Sequence, residues 1–191
     1  MSRIFRCWTQ FTMRKIVLCF LVFTPITCAA QTYSKVVPDS IIEKFVLEAL
    51  HLKESYGSIF NKLQKRVYNK PIHIGSASWT LGSDTSFHAV FKMIYDGEHA
   101  LPSDDVAFIR EQYYGIKESS WGFKSADIKF KKKRGRRIYE YSIPLFTRDC
   151  NRAIFWRYWS GGPLYAYSEL HLYTRVNGSW KLEKILAGWI A

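Results

Sequence analysis

Apolar residues recur every three or four positions in two stretches after residue 38. In the first, Ser40-Ile41-Ile42-Glu43 has the form of a capping box, which predicts that a helix begins here. Its apolar stripe consists of Ile42, Phe45, Val46, Ala49 and Leu50. A second stripe predicts another helix, which ends at Asn69-Lys70-Pro71 because a proline disfavours helical backbone in the residue before it. This stripe consists of Tyr56, Ile59, Phe60, Leu63 and Val67.

The spacing of apolar residues shortens to two between residues 72 and 95. Ile72 and Ile74 come first, residues 87–95 are predicted as a strand, and residues 81–84 supply a turn between them. From residue 126 onward the alternation predicts an antiparallel meander. Its strands are expected near residues 126–132, 137–146, 152–159, 165–176 and 179–190.

A further helix is predicted after Pro102, because Ser103, Asp104 and Asp105 provide a cap and acidic side chains for the first turn. An apolar stripe and a terminating glycine follow, at Val106, Ile109, Tyr113 and Gly115. The fold class expected from these elements is α+β. N-terminal helices would pack on a curved antiparallel sheet that ends in a β-meander.

The hairpin at Asn177-Gly178 is the strongest local signal, because both residues tolerate the positive φ of a type I′ turn. Extending its register without interruption places Glu169, His171 and Lys184 as neighbours on one sheet face. In that register the apolar side of the strands switches partway along. A β-bulge, a strong twist, or a core on both sides of the sheet would explain the switch.

Residues 1–30 have the three parts of an export signal. A positive segment, an eight-residue apolar run over residues 16–23, and small residues ending at Ala30 follow in order. The run is shorter than the roughly 20 residues that span a bilayer, so we expect a cleaved signal peptide and a single periplasmic or secreted domain over residues 31–191. Translation from Met13 is an alternative start. Lipidation at Cys28 is another alternative, although Pro25-Ile26-Thr27 is a poor match to a lipid box.

The composition beyond the signal is basic and poor in cysteine. The first thirty residues carry four basic side chains and no acidic one, so the net charge falls from +12 to +8 over the remaining 161 residues. Three of the four cysteines also lie in the signal, which leaves Cys150 and no intramolecular disulfide. No second long apolar run follows, so no membrane span is expected after cleavage.

A dense basic run follows residue 128. Such a run attracts polyanions because their counterions are released on binding. The alternative is a solvated hairpin tip whose cations discourage edge-to-edge pairing. Export argues against chromosomal DNA. An anionic surface polysaccharide or another envelope component, lipid headgroups and extracellular nucleic acid are the alternatives for the partner. The candidate binding residues are Lys131, Lys132, Lys133, Arg134, Arg136 and Arg137.

Aromatic residues surround Ser160-Gly161-Gly162-Pro163. Aromatic faces beside a flexible turn can stack on sugar rings, whereas core packing explains the same residues equally well. Tyr158 and Tyr167 belong to this set. The candidates retained for binding are Trp156, Arg157, Trp159 and Tyr165.

Glu169 and His171 are the candidate catalytic residues, since a carboxylate beside an imidazole can perform general acid–base chemistry. The alternative is an exposed cross-strand charge cluster. No nucleophile, phosphate-binding or metal-binding motif occurs in the sequence, so no metal or cofactor is expected.

Several segments of the C-terminal half follow one another in a recognisable order. They are Ser103-Asp104-Asp105-Val106-Ala107-Phe108-Ile109-Arg110-Glu111-Gln112, Trp121, Tyr141-Ser142-Ile143-Pro144-Leu145-Phe146, Leu172-Tyr173, Asn177-Gly178-Ser179-Trp180-Lys181 and Trp189-Ile190. This order resembles a family of small exported bacterial proteins of uncharacterised function, which implies no activity. Members tend to carry a Gly-rich, often Cys-containing segment where residues 160–165 of this chain have no cysteine. The order of helices and strands is also similar to the NTF2-like fold, which hosts binders and enzymes alike.

The function expected from the sequence is a non-enzymatic, exported domain that binds an anionic or glycan partner at the cell envelope. A small envelope enzyme with a Glu169/His171 pocket is one alternative. A structural subunit of an envelope assembly is the other. Burial of Glu169 and His171 in a cleft would favour the enzyme, and their exposure on a flat face would count against it. A large apolar patch would favour the subunit.

Overall fold

A computed structural model describes residues 32–52, 66–72, 74, 101–117, 119–134, 138–162 and 165–190, with the side chain of residue 189 excepted. The described part is α+β, with two helices and an open seven-stranded sheet that is mostly antiparallel. Neither described helix is long and apolar enough to cross a bilayer. The elements are α1 (Asp39–His51), β1 (Arg66–Tyr68), α2 (Ser103–Tyr114), β2 (Lys129–Lys131), β3 (Ile138–Tyr141), β4 (Leu145–Phe146), β5 (Arg152–Gly162), β6 (Tyr165–Val176) and β7 (Ser179–Ile190).

Helix α1 forms where the first apolar stripe predicts it, and all five stripe residues are buried. It begins at Asp39, and no side chain caps its first turn. The Asp39 carboxylate instead accepts the backbone N–H groups of Thr32 and Tyr33, at 2.6 and 3.1 Å. Tyr33 is buried beneath this turn, where its hydroxyl donates to Glu43 at 2.9 Å. The segment before the helix is therefore fixed to its first turn.

The helix predicted to reach residue 69 is wrong at its C-terminal end. Residues 66–68 form strand β1, in which Val67 is buried and pairs with Phe130 on one side and Tyr139 on the other. Pairing with two distant strands overrides the local helical period, and β-branched valine suits a strand. The rest of this predicted helix, and the strand predicted over residues 87–95, lie outside the described residues. Ile72 forms an isolated bridge with Ser142.

The sheet order is β2-β1-β3-β5-β6-β7, with β4 paired to β5. Strand β1 lies between β2 and β3 and runs parallel to both, so the antiparallel pairing expected between the strands on either side of the basic run is wrong. The basic run is not the tip of a hairpin. Strands β3, β5, β6 and β7 are neighbours in this order, and each adjacent pair is antiparallel.

The turn at Asn177-Gly178 has the positive φ values predicted for it, 52° and 81°. The first four pairs beyond the turn keep the predicted register, from Val176 with Ser179 to Tyr173 with Leu182. Two register shifts then follow, and Glu183 and Leu186 are the residues of β7 left without a partner in the ladder. A bulge was one of the three explanations for the switch in apolar phase, and two are present.

These shifts change which residues are neighbours near the candidate catalytic pair. His171 pairs with Ile185 and Glu169 pairs with Gly188. Lys184 pairs with Leu172, so the predicted grouping of Lys184 with Glu169 and His171 is wrong. Each bulge adds one residue to β7 that has no partner in β6. Every later pair is therefore shifted by one residue relative to the uninterrupted register predicted from the turn.

The sheet has an apolar core on each face, which was another explanation offered for the phase switch. Phe45 of α1 packs on one face with four aromatic residues, and Val106 and Ile109 of α2 pack on the other. The side-chain amide of Gln112 fixes α2 to β4, because it donates to the carbonyl of Phe146 at 2.6 Å and accepts its N–H at 2.9 Å. The aromatic partners of Phe45 are Phe146, Phe155, Tyr173 and Trp180.

Candidate functional site

The face of the sheet that packs on α1 becomes polar away from the Phe45 cluster. Alternate residues of β6 point to this face, because successive side chains of a strand point to opposite sides. Arg157 of β5 is the direct partner of Glu169. We call these five residues the polar line: Arg157, Tyr173, His171, Glu169 and Tyr167.

Hydrogen bonds join the polar line from one end to the other. Arg157 Nη1 donates to the Tyr173 hydroxyl at 2.9 Å, and that hydroxyl lies 3.0 Å from His171 Nδ1. His171 Nε2 lies 2.6 Å from Glu169 Oε2. Because a guanidinium can only donate, the Tyr173 oxygen accepts from Arg157. The His171 ring thus lies between the Tyr173 hydroxyl on one side and the Glu169 carboxylate on the other.

The exposure of the polar line increases from its buried members to Tyr167. Arg157 and His171 are fully buried, and Glu169 is 2% exposed, whereas Tyr167 is only partly buried. Burial and a hydrogen bond to Glu169 raise the pKa of Tyr167 to about 12. Tyr167 therefore remains a protonated donor to Glu169 at neutral pH.

Burial of an arginine, a histidine and a glutamate is costly unless each charge is compensated. Arg157 and Glu169 face each other across β5 and β6, so one positive and one negative charge share this face. Tyr141 lies beside Arg157, whose guanidinium carbon is 5.9 Å from the centre of its ring. Burial raises the pKa of Tyr141 well above its usual value, although Arg157 opposes this.

Glu169 and His171 are in contact, as predicted from the sequence, but the alternative of an exposed charge cluster is wrong. Arg157 was predicted to bind at the surface beside aromatic residues, and it lies instead in the buried line. Tyr173 was not predicted as a site residue. Its position two residues after His171 on a strand was the available signal, since residues i and i+2 share a face.

A second group of residues forms the opposite edge of the sheet. Strands β1 and β2 are parallel, and in their register Arg66 pairs with Lys129 and Tyr68 pairs with Lys131. These four side chains point away from buried Val67, so three cations and one aromatic ring share one face. We call them, together with Arg134, the basic edge.

Arg134 is fixed to the basic edge at two points. It forms an ion pair of 2.9 Å with Glu140, and its guanidinium carbon lies 5.3 Å from the centre of the Tyr68 ring. Its own side chain is 65% exposed, whereas that of Glu140 is 8% exposed. Burial raises the pKa of Glu140, and the neighbouring Arg134 lowers it. The Arg134 guanidinium is thus anchored by two contacts, while most of the side chain as a whole is exposed.

The structure places part of the predicted basic run. Lys132 and Lys133 are exposed directly after β2, and Lys131 is partly buried. Arg136 and Arg137 lie outside the described residues. Arg66 and Tyr68 were not predicted for this surface, because they are far from the run in sequence and reach it only through the β1–β2 pairing.

The predicted aromatic set is divided between the two faces. Trp156 is fully buried in the core against α2, as its core-packing alternative requires. Trp159 is partly buried and Tyr165 is 48% exposed, and their rings meet edge to face with centres 5.4 Å apart. Gly161 lies against the Trp159 ring, since a Cβ there would come within 2.8 Å of its Cη2 atom.

Substituting Gly161→Ala is expected to destabilise the protein by about 1–3 kcal/mol, because the added methyl group overlaps the Trp159 ring. Gly188→Ala is the matched control. A Cβ at that position makes only ordinary contacts of 3.8 Å, so its effect should stay within about 1 kcal/mol. Urea unfolding followed by tryptophan fluorescence measures both. Equal stability of the two variants would contradict the close approach of Gly161 to Trp159.

No protein-family model, no curated protein and no solved structure matches this chain. Within the described residues, no group of three or more His, Cys, Asp or Glu side chains is arranged to hold a metal ion. Cys150 is partly buried and burial raises the pKa of its thiol, which lowers the reactive thiolate fraction.

Proposed function

We propose that this protein binds an anionic polymer at the cell envelope through the basic edge, without catalysing a reaction. The observation that carries this function is the β1–β2 register, which places Arg66, Lys129 and Lys131 on one face of this strand pair. Arg134 adds a fourth cation, held over Tyr68. Lys132 and Lys133 extend the same surface along the chain.

The physical basis is the release of counterions from the polymer. Each cation that neutralises a charge of the polymer releases a bound ion, so affinity falls steeply as salt concentration rises. A row of cations on adjacent strands, which are about 4.8 Å apart, presents closely spaced positive charges to such a polymer. The polymer source in this proposal is an acidic polysaccharide.

The envelope location rests on the export signal proposed for residues 1–30. We also propose that the sheet and helices are arranged as in the NTF2-like fold. The order of a helix, a short strand, a second helix and then mostly antiparallel strands supports that likeness. Because that fold accommodates many activities, the basic edge and not the fold is the basis for the function.

Replacing Arg66, Lys129 and Lys131 together by glutamine is expected to weaken retention on immobilised heparin. The slope of log affinity against log salt should fall by about two to three, in proportion to the three cations removed. The matched control replaces Lys44, Lys181 and Lys184 by glutamine. These lysines are exposed elsewhere, so the control loses the same net charge from other surfaces.

Comparing the two triple variants distinguishes two explanations of heparin retention. One is binding by the basic edge, and the other is attraction by the net positive charge of the whole protein. Wild-type retention by the control and early elution of the first variant are the expected outcome. Equal loss in both variants would mean that net charge alone causes retention and would overturn this function. An unchanged elution salt for both would overturn it as well.

A further inference from the structure

A nearly buried carboxylate lies on the same sheet face as the basic edge. Val67 pairs with Tyr139 in the parallel β1–β3 pair, so the next residues of the two strands, Tyr68 and Glu140, both point to the other face. Glu140 is the only acidic residue in β1, β2 and β3, and its side chain is 8% exposed. Within these three strands, the cations of the basic edge therefore share their face with a single carboxylate.

This carboxylate is paired with one cation of the basic edge. Glu140 Oε2 lies 2.9 Å from Arg134 Nη2, and the Arg134 guanidinium carbon lies 5.3 Å from the centre of the Tyr68 ring. While Glu140 is ionised, the two opposite charges largely cancel at a distance, so Arg134 adds little net charge to the surface that a polymer meets. The Arg134 side chain is 65% exposed, so a polymer can reach it while Glu140 stays covered.

Protonation of Glu140 removes this cancellation. Burial raises the pKa of Glu140 above that of an exposed glutamate, although Arg134 opposes the shift. Among the described residues, the other charged or titratable side chains on this face beside Glu140 are Tyr68 and Lys131, from β1 and β2, and Tyr158, from β5. Burial raises the pKa of Tyr158, so this phenol stays uncharged at neutral and acidic pH. Glu140 is therefore the member of this group that changes charge as the pH falls below neutral.

We propose that Glu140 makes binding by the basic edge sensitive to pH, because its protonated form leaves the charge of Arg134 available to an acidic polysaccharide. This proposal rests on the function proposed for the basic edge. The polymer binds best to the form with the greater positive charge, so affinity rises as the pH falls through the pKa of Glu140. By the same linkage, the bound polymer raises that pKa.

Calorimetric titration with dextran sulfate at two pH values tests this role, because sulfate groups stay ionised at both. One is about pH 7.5, and the other is about pH 4.5, where a glutamate with a raised pKa is mostly protonated. Glu140→Gln removes the carboxylate charge and keeps the size of the side chain. At the higher pH this variant should bind about threefold to tenfold more tightly than the wild type, with a slope of log affinity against log salt steeper by about one. At the lower pH the two proteins should bind almost equally.

Glu111→Gln is the matched control. Glu111 is exposed on α2, so this variant loses the same charge from another surface and should bind like the wild type at both pH values. Histidines also gain positive charge as the pH falls, but they are the same in all three proteins, so the comparison isolates Glu140. Thermal unfolding at each pH identifies any loss of fold. If Glu140→Gln is unfolded, Glu140→Met is the replacement, since methionine is uncharged and similar in size.

An equal rise in affinity with falling pH in the wild type and in Glu140→Gln would overturn the role of Glu140. Equal gains in affinity by Glu140→Gln and Glu111→Gln at the higher pH would overturn it too, since net charge would then explain the gain. Either result leaves the basic edge unaffected if the triple glutamine variant of Arg66, Lys129 and Lys131 still loses heparin retention. A wild type that does not bind dextran sulfate at either pH would overturn both proposals.

Discussion

Replacing Arg157 by methionine is expected to lower the free energy of unfolding by about 3–5 kcal/mol, since it removes a buried cation that lies on the same sheet face as the buried Glu169 carboxylate. Arg157 is fully buried and lies opposite Glu169. The variant would leave Glu169 without its buried counter-charge and would remove the donor to the Tyr173 hydroxyl. Chemical denaturation monitored by circular dichroism measures the change. A domain of ordinary stability, about 5–15 kcal/mol, would lose a large share of it.

The control for this experiment is Arg148→Met. Arg148 is exposed and its guanidinium carbon lies 5.5 Å from the centre of the Phe108 ring, so the substitution should cost no more than about 1 kcal/mol. A third variant replaces Arg157, Glu169 and His171 together by apolar residues of similar size. It should be more stable than Arg157→Met, because no buried charge is left uncompensated. If Arg157→Met were as stable as the wild type, this result would contradict the coupling of Arg157 to Glu169.

Replacing Phe45 by alanine is expected to cost about 3–5 kcal/mol through the loss of buried surface and the cavity left behind. Phe45 is fully buried and its ring meets four other aromatic rings edge to face. These contacts join α1 to strands β4, β5, β6 and β7. Each such pair can add about 0.5–1.5 kcal/mol beyond buried area, so the upper end of the range is expected.

Tyr114→Ala is the aromatic control for Phe45. Tyr114 is 70% exposed at the end of α2, so its loss should change stability by about 0.5 kcal/mol or less. Urea unfolding measures both variants under one condition. A small effect of Phe45→Ala would show that α1 contributes little to the stability of the sheet.

Elements with a complete local signal were predicted closely from the sequence. Helix α2 spans Ser103–Tyr114, with Asp104 and Asp105 in its first turn and Gly115 directly after it as predicted, although no side chain forms the predicted cap. The Asn177-Gly178 turn fixed the first pairs of β6 and β7. In both cases the residues that determine the structure are adjacent in the chain, so the energetic preference is contained in a short segment.

Features that depend on distant partners could not be predicted in this way. Val67 continued the spacing of a helical stripe, yet it lies in β1 because Phe130 and Tyr139 pair with it. The bulges at Glu183 and Leu186 also lack a local cause, since both faces of the sheet carry a core and either phase of the strand could be buried. The spacing of apolar residues in the sequence indicates which face of a helix or strand will be buried. It does not indicate which other element will cover that face.

The candidate site was predicted in its chemistry but not in its surroundings. The contact between Glu169 and His171 follows from residues i and i+2 of one strand. The burial of the pair and its connection to Arg157 follow from the β5–β6 register, which no short motif determines. The basic run could be recognised in the sequence because its Lys and Arg residues are close together. The contribution of Arg66 could not be recognised, because it depends on the pairing of two strands that are far apart in the chain.

The position of β1 has a consequence for the order in which the protein is assembled. Strands β5, β6 and β7 are joined by short connections, whereas β1 must close a long loop before β2 can join the sheet. The β1–β2 pair contains only three residues per strand, so we expect its amide hydrogens to exchange with solvent faster than those of β6. A polyanion that bridges Arg66 and Lys129 would hold these two strands together. Binding should therefore slow amide exchange in the β1–β2 pair.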